Sequence, residues 1–341
     1  MNRFDYVRAD SVPAAVAALA ADPAARLIAG GTNLVDLIKY DVERPSRVVD
    51  VTRIEELKRI EETSGGGLRI GALVPNTELA YDVRVSERFP LLASAILAGA
   101  TVQLRNAAST GGNINQRTRC YYFYDPHTPC NKREPGSGCP AIPGVNRIHA
   151  ILGQSEHCIA THPSDMAVAL AALEAIVHVA GPEGERAIAF EDYHRLPGDQ
   201  PHRDNTLMPG EMVVAIELPA EASAYGRHHT YLKLRDRLSY AFALISVAAG
   251  LAIEGGVVRR ARIALGGVAH KPWRRREAEA LLEGQAPERA AFTATADILL
   301  EGAQGYEHNA FKIELARKAI PRALAQAAAG TPQSQTDKRI Q

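Results

Sequence analysis

All four cysteines of this chain, Cys120, Cys130, Cys139 and Cys158, fall in one segment, and none lies elsewhere in the 341 residues. Cysteines that served only as small buried hydrophobes would be scattered over the elements, so the clustering points to a shared ligand or to a pair of disulfides. The same segment carries Pro126, Pro129, Pro135, Pro140 and Pro143 with several glycines. That is the composition of a long irregular loop, which a bound group could hold in shape. Intervals of nine, eight and eighteen residues between the cysteines lack the short CxxC pairing of most structural zinc sites. They suit four thiolates wrapped around an iron–sulfur cluster. Disulfides are disfavoured because the N-terminus, Met1 to Tyr6, lacks a basic region followed by an apolar run, the mark of export. On spacing alone the cluster, zinc and disulfide readings all stay open.

Around this segment the sequence is that of an ordinary globular protein. Hydrophobic residues make up 46%, and 39 Lys and Arg balance 39 Asp and Glu, so disorder and a collagen-like repeat are excluded. Zero net charge gives no electrostatic reason to bind nucleic acid or an anionic membrane. The apolar stretches near 241–253 and 166–179 are too short or too interrupted for a membrane span.

Helices and strands alternate from the start. Residues 11–21 read as a helix with Ser11 as N-cap and Pro13 in its first turn. Residues 26–29, 48–51 and 68–73 read as strands, and 91–100 as a buried helix. A buried helix is expected over 165–177, followed by a hairpin of 176–179 and 186–190 around Gly181-Pro182-Glu183-Gly184. Residues 194–209 read as a linker, 212–218 as a strand and 219–225 as irregular. Later strands are expected at 230–234, 243–253 and 262–265, and helices at 275–283, 290–300 and 310–328. These place a boundary near residue 225 and a frayed tail over 331–341.

Two glycine turns stand out, Ala29-Gly30-Gly31-Thr32-Asn33-Leu34 after a strand and Thr110-Gly111-Gly112-Asn113 further on. Glycine allows positive φ and close backbone approach, so successive N–H groups and the threonine hydroxyls can point at phosphate oxygens. Neither turn matches a P-loop or GxGxxG, but together they form a candidate two-loop pyrophosphate clamp.

AGGTNL at 29–34, RNAASTGGNI at 105–114, PSDMAVAL at 163–170, YLKLRDRLSYAFALISVAA at 231–249 and RIALGGVAHKPW at 262–273 resemble the FAD-binding subunits of molybdenum hydroxylases, the xanthine dehydrogenase family. The insert RTRCYYFYDPHTPCNKREPGSGCP and the later HCIATHPSD resemble one branch, the FAD and [4Fe-4S] subunits of bacterial periplasmic aldehyde oxidoreductases. The resemblance spans about residues 1–330. It implies an α+β chain: a two-subdomain FAD-binding domain of the vanillyl-alcohol oxidase (PCMH) type over 1–225, with a [4Fe-4S] insert at about 115–162. A small α+β flavoprotein C-terminal domain over 226–330 and a flexible tail at 331–341 would follow.

It also implies the cofactor residues. The pyrophosphate would lie on Arg26, Leu27, Ile28, Ala29, Gly30, Gly31, Thr32, Asn33 and Leu34 and on the loop of Ser109, Thr110, Gly112 and Asn113, with Ala100 nearby. Asp165 would hold the ribose or adenine side, unless it only caps its helix. Val213 would line the ring pocket. Lys233 would stand close to the flavin, although a lysine in an alternating strand usually faces solvent. Tyr240 and Phe242 would pack on the flavin or in the core, and Arg235, Asp236 and Arg237 would form a surface run. Cys120, Cys130, Cys139 and Cys158 would bind the cluster. The histidines, among them His157, His162, His228 and His229, follow no metal-binding pattern.

The implied role is a middle subunit without a catalytic acid or base of its own. It would pass electrons through FAD from the [2Fe-2S] clusters of a small partner, which serves a molybdenum subunit that oxidises aldehydes. The acceptor would be oxygen, a quinone or an electron-transfer protein; relatives that reduce NAD lack the cysteine insert. The branch implies a periplasmic location by co-export with a partner, against a cytoplasmic alternative. The rival readings are a free-standing FAD oxidase and a zinc-binding scaffold without flavin.

Overall fold

The computed structural model describes residues 1–335 and 337. The chain begins with a small α/β unit. Strands β1 (Asp5–Arg8), β2 (Arg26–Ile28) and β3 (Arg47–Asp50) form a parallel sheet in the order β1-β3-β2, carrying helices α1 (Val12–Ala20) and α2 (Leu34–Lys39). Pro13 sits in the first turn of α1 as expected, whereas Ser11 occupies the N-cap position without a side-chain hydrogen bond.

A second unit is built on an antiparallel five-stranded sheet. Its strands are β4 (Ile60–Glu62), β5 (Leu68–Gly71), β6 (Ile176–Gly181), β7 (Gly184–Ala189) and β8 (Met212–Leu218), in the order β4-β5-β8-β6-β7. MVVAIEL makes the central strand because every residue except Glu217 is buried, and only an inner strand buries both faces. The edge strand β7 is exposed at all positions but Ile188. Helices α3 (Asn76–Tyr81), α4 (Val83–Arg88), α5 (Pro90–Ala98), α6 (Val102–Ala107), α7 (Thr110–Ile114), α8 (Tyr121–Tyr124), α9 (Asp165–Ala172) and α10 (Phe190–Tyr193) complete this part.

Helix α9 is shorter than expected. Glu174 turns the chain with a φ of 53° while Arg262 and Arg274 hold its carboxylate at 2.7 and 2.9 Å. The apolar run over 165–177 is thus a helix over Asp165–Ala172, a turn, and the first two residues of inner strand β6, which periodicity does not separate when both elements are largely buried.

The third unit has an antiparallel sheet of β9 (His229–Leu234), β10 (Ile245–Glu254) and β11 (Val257–Gly266), with β10 central. Helices α11 (Arg276–Leu282), α12 (Arg289–Leu299) and α13 (Phe311–Ala329) cover it. Buried Ala316, Ala319, Ile320, Ala323, Leu324 and Ala327 follow the 3.6-residue period and form the packed stripe of α13. Gly330 ends the helix in the left-handed conformation, its N–H donating to Ala327, where a side chain would be strained. Among the described residues no helix is long and apolar enough to cross a membrane.

Three expectations need correction. Residues 194–209 are not a free linker: Asp204 in this strap accepts from Arg117 Nε at 2.8 Å and pairs with Lys132, which also donates to the carbonyl of Pro201 at 2.7 Å. Burial of Lys132 required a partner carboxylate, and the strap supplies it. The tail is not frayed throughout, since Gln333 accepts from the Lys233 N–H and Gln335 donates to the Tyr231 carbonyl. Thr336 and residues 338–341 lie outside the described residues. Tyr240 and Phe242 are 57% and 50% exposed, so neither packs in the core.

Replacing Asp204 by Ala leaves the Lys132 side chain, 1% exposed, without a counter-charge. The expected cost is about 3 kcal/mol, read as a lower melting temperature and as faster proteolysis within residues 115–162.

Candidate flavin and thiolate sites

The two glycine turns meet. Gly30 approaches the second loop so closely that a Cβ there would lie 1.7 Å from the carbonyl oxygen of Ala107. Gly31 has a φ of 71°, which favours glycine. Between them opens a cleft of about 360 Å³ at the seam of the first two units, lined by Arg26, Leu27, Ala29, Asn33, Leu34, Ser109, Gly111, Gly112 and Val213 among others. Asn33 accepts from the Arg117 N–H at 2.9 Å, and its Nδ2 is buried without a partner, leaving a donor to be satisfied. Ser109 caps α7 through the Gly112 N–H. Thr110 does not face the cleft: its N–H and its hydroxyl both donate to the Val74 carbonyl at 2.9 Å, fixing the start of α7. A narrow, mainly apolar slot with close backbone, positive φ and an orphan amide donor fits a dinucleotide.

Asp165 and Lys233 are placed together, away from that cleft. Lys233 Nζ donates to Asp165 Oδ2 at 2.7 Å and to the Ala98 carbonyl at 3.2 Å; Tyr231 donates to Asp165 Oδ1 at 2.7 Å and accepts from the Ser246 hydroxyl. The Lys233 side chain is 1% exposed, so it is buried, like Thr230, Tyr231 and Leu232 before it, and is not a surface lysine. Burial and the Asp165 carboxylate push the Tyr231 phenol well above its usual range. Ala100, with a φ of 49°, ends the turn that follows Ala98. Asn113 ties the two regions, its side-chain oxygen accepting from Ser164, which caps α9 through the Ala167 N–H at 2.9 Å.

The four cysteines converge as well. Cys120, Cys130, Cys139 and Cys158 are free thiols, and all four line one small space together with Lys132, Phe123 and His157. Burial pushes the Cys120 thiol up to about 12. A hydrogen bond from Cys158 brings Cys139 down to about 6 and raises Cys158 itself. Two members of the site escaped sequence reasoning. His149 Nε2 lies 3.0 Å from Cys120 Sγ, and buried Lys132 lines the same space as Cys158; His149 sits in no motif, and Lys132, although inside the quoted insert, carries no ligand signal of its own.

The chain belongs to the FAD-binding family of molybdenum hydroxylases. Residues 2–221 match the family described as FAD binding domain in molybdopterin dehydrogenase, and residues 229–327 match the CO dehydrogenase flavoprotein C-terminal domain. It is 49% identical over 96% of its length, and 99% of the other chain, to the aldehyde oxidoreductase FAD-binding subunit PaoB of Escherichia coli. Its fold is similar to those of quinoline 2-oxidoreductase from Pseudomonas putida 86 (TM-score 0.74, 26% identity, 97% and 98% of the two chains) and of CO dehydrogenase from Oligotropha carboxidovorans (TM-score 0.75, 25% identity, 96% and 98%). The chain is thus the flavin-bearing medium subunit of an oxidoreductase complex. The matches carry the FAD; an iron–sulfur cluster on this chain is not among what they show.

Two outcomes follow. Gly30→Ala, whose Cβ would collide with the Ala107 backbone, should lower flavin occupancy about tenfold or more, measured as the flavin-to-protein ratio after purification. Burial holds His194 down to about 4 and His270 well below the usual histidine range. These bases stay neutral when folded but protonate when unfolded, so stability is full above about pH 6.5 and falls as pH drops toward 4. Each contributes up to about 1.4 kcal/mol per pH unit, which thermal melts at pH 7, 6 and 5 would reveal.

Proposed function

We propose that this chain is the FAD-binding electron-transfer subunit of a heterotrimeric molybdenum-dependent aldehyde oxidoreductase, with partners that carry the molybdenum cofactor and two [2Fe-2S] clusters. The observation that carries the reading is the meeting of the two glycine loops across the cleft between β2 and β8. FAD bound there supplies a ring that takes up and releases electrons. The chain's own residues would do the holding: residues 26–34 and Ser109, Gly112 and Asn113 around the pyrophosphate, Val213 on the cleft wall. The Asp165–Lys233 pair, with Ala100 close by, would support the cleft from outside, through the helix that Ser164 ties to Asn113, and Thr110 anchors α7. A division near residue 225 is supported by the gap between the two family matches, which end at 221 and begin again at 229.

The second cofactor in this proposal is a [4Fe-4S] cluster on Cys120, Cys130, Cys139 and Cys158. The fit rests on the chemistry of the donors: four free thiols around one enclosed space, and a buried lysine to offset their charge. A single zinc ion would need all four sulfurs about 2.3 Å from one point. A cluster takes one thiolate on each of four irons and asks for sulfurs spread around a volume. Metal binding would deprotonate even the buried Cys120. A periplasmic setting reached with an exported partner is proposed on the resemblance of the cysteine insert alone, and fractionation of the assembled complex tests it against the cytoplasm.

The experiment is anaerobic purification of the complex through this chain, with flavin, iron, zinc and molybdenum quantified. The expected result is one FAD and about four irons on this chain, with molybdenum in a bound partner, and loss of the irons in Cys130→Ser. Zinc in place of iron would refute the cluster, and FAD without partners would favour a free-standing oxidase.

A further inference from the structure

The contact between His149 and Cys120 has a chemical direction. The histidine ring is 1% exposed and lies among the rings of Tyr121 and Tyr122, with centroids 6.4 and 6.3 Å away. Its backbone is fixed from the third unit of the fold: the His149 carbonyl accepts from Lys312 Nζ at 2.8 Å and from Asn309 Nδ2 at 3.3 Å, and both donors are buried. The ring is therefore aimed at the sulfur by elements distant in sequence. A ligating cysteine is a thiolate and carries no proton, so the proton of this contact must sit on Nε2, leaving the lone pair on Nδ1. Among the described residues that Nδ1 atom is buried without a partner, which a neutral ring tolerates better than a second unsatisfied N–H would.

We propose that His149 is a positioning residue of the thiolate site, donating its Nε2–H to Cys120 Sγ and thereby raising the reduction potential of the bound cluster. This rests on the reading that the four cysteines hold a [4Fe-4S] cluster. One-electron reduction by dithionite adds negative charge that is shared with the thiolate sulfurs; no bond forms or breaks, and the proton stays on Nε2. A hydrogen bond to sulfur strengthens as that charge grows, so it stabilises the reduced form more than the oxidised one. Removing it should shift the potential downward.

The test uses the purified complex. In His149→Phe the ring packing is kept and the donor lost, and the cluster should retain its irons while its reduction constant falls about tenfold, a shift of about 59 mV for a one-electron couple. In His149→Gln an amide N–H can reach the same sulfur and should restore most of the potential. An unchanged potential in the Phe variant with irons retained overturns the inference. Independently of any variant, pulsed EPR of the reduced complex labelled with 15N-histidine should show a weakly coupled nitrogen and an exchangeable proton near the cluster. A strongly coupled nitrogen would make His149 a ligand, and no coupling would make it a spectator; either result overturns the proposal. A wild-type complex with no iron on this chain would instead overturn the cluster reading beneath it.

Discussion

A single buried carboxylate joins the parts of this molecule. Asp165 opens a helix of the second unit, and its two oxygens are taken by Tyr231 and Lys233 of the third. The lysine continues to the carbonyl of Ala98, which Arg235 also reaches. Neither charge could be buried alone, because the cost of desolvating an unpaired ion is several kcal/mol. The pairing therefore sets how the C-terminal sheet sits on the flavin domain. A Cβ at Gly99 would lie 3.1 Å from the Asp165 carboxylate and press on it. The helix that carries Asp165 is capped by Ser164, which hydrogen-bonds Asn113 beside the second glycine loop, so the interdomain pair and the flavin cleft share one rigid support.

The cysteine insert depends on a second set of buried charges. Asp204, 27% exposed at its side chain, gathers Arg117 and Lys132, while Arg117 also meets Glu43 behind the first glycine loop. Asn309 and Lys312 reach in from the other side to the carbonyl of His149. Burial draws Lys312 down to about 7, and among the described residues its amine finds only carbonyl partners, at His149 and Gly267. A loop this rich in proline and poor in regular structure is held in place by polar contacts at its rim, leaving the thiols around one small space.

Much of the architecture was legible beforehand because it rests on local rules. The run MVVAIEL reads as a strand from its apolar content, the hairpin from Gly181-Pro182-Glu183-Gly184, and α13 as a helix over 310–328. The cleft was legible because positive φ and close backbone approach require glycine, which leaves a mark in sequence. What misled were runs where burial hides the period, as over 165–177, and polar stretches whose partners are remote. Residues 194–209 look like a linker until Asp204 is seen to neutralise a buried lysine. Lys233 looks like a surface residue until Asp165 is placed opposite it. Thr110 looks like a phosphate ligand until its hydroxyl is found on Val74.

The sequence by itself determined the elements, the family and the inventory of chemistry: two glycine loops, four cysteines and one aspartate at a helix start. These follow from periodicity and residue type, which act over a few neighbouring positions. Only the tertiary structure decided which of them work together. It brought Gly30 against Ala107, set Lys233 on Asp165, gathered four cysteines into one space and aimed His149 at one of them. Those outcomes depend on pairing buried charges and donors across long stretches of chain, and an isolated histidine or lysine carries no local signal of the partner it will meet.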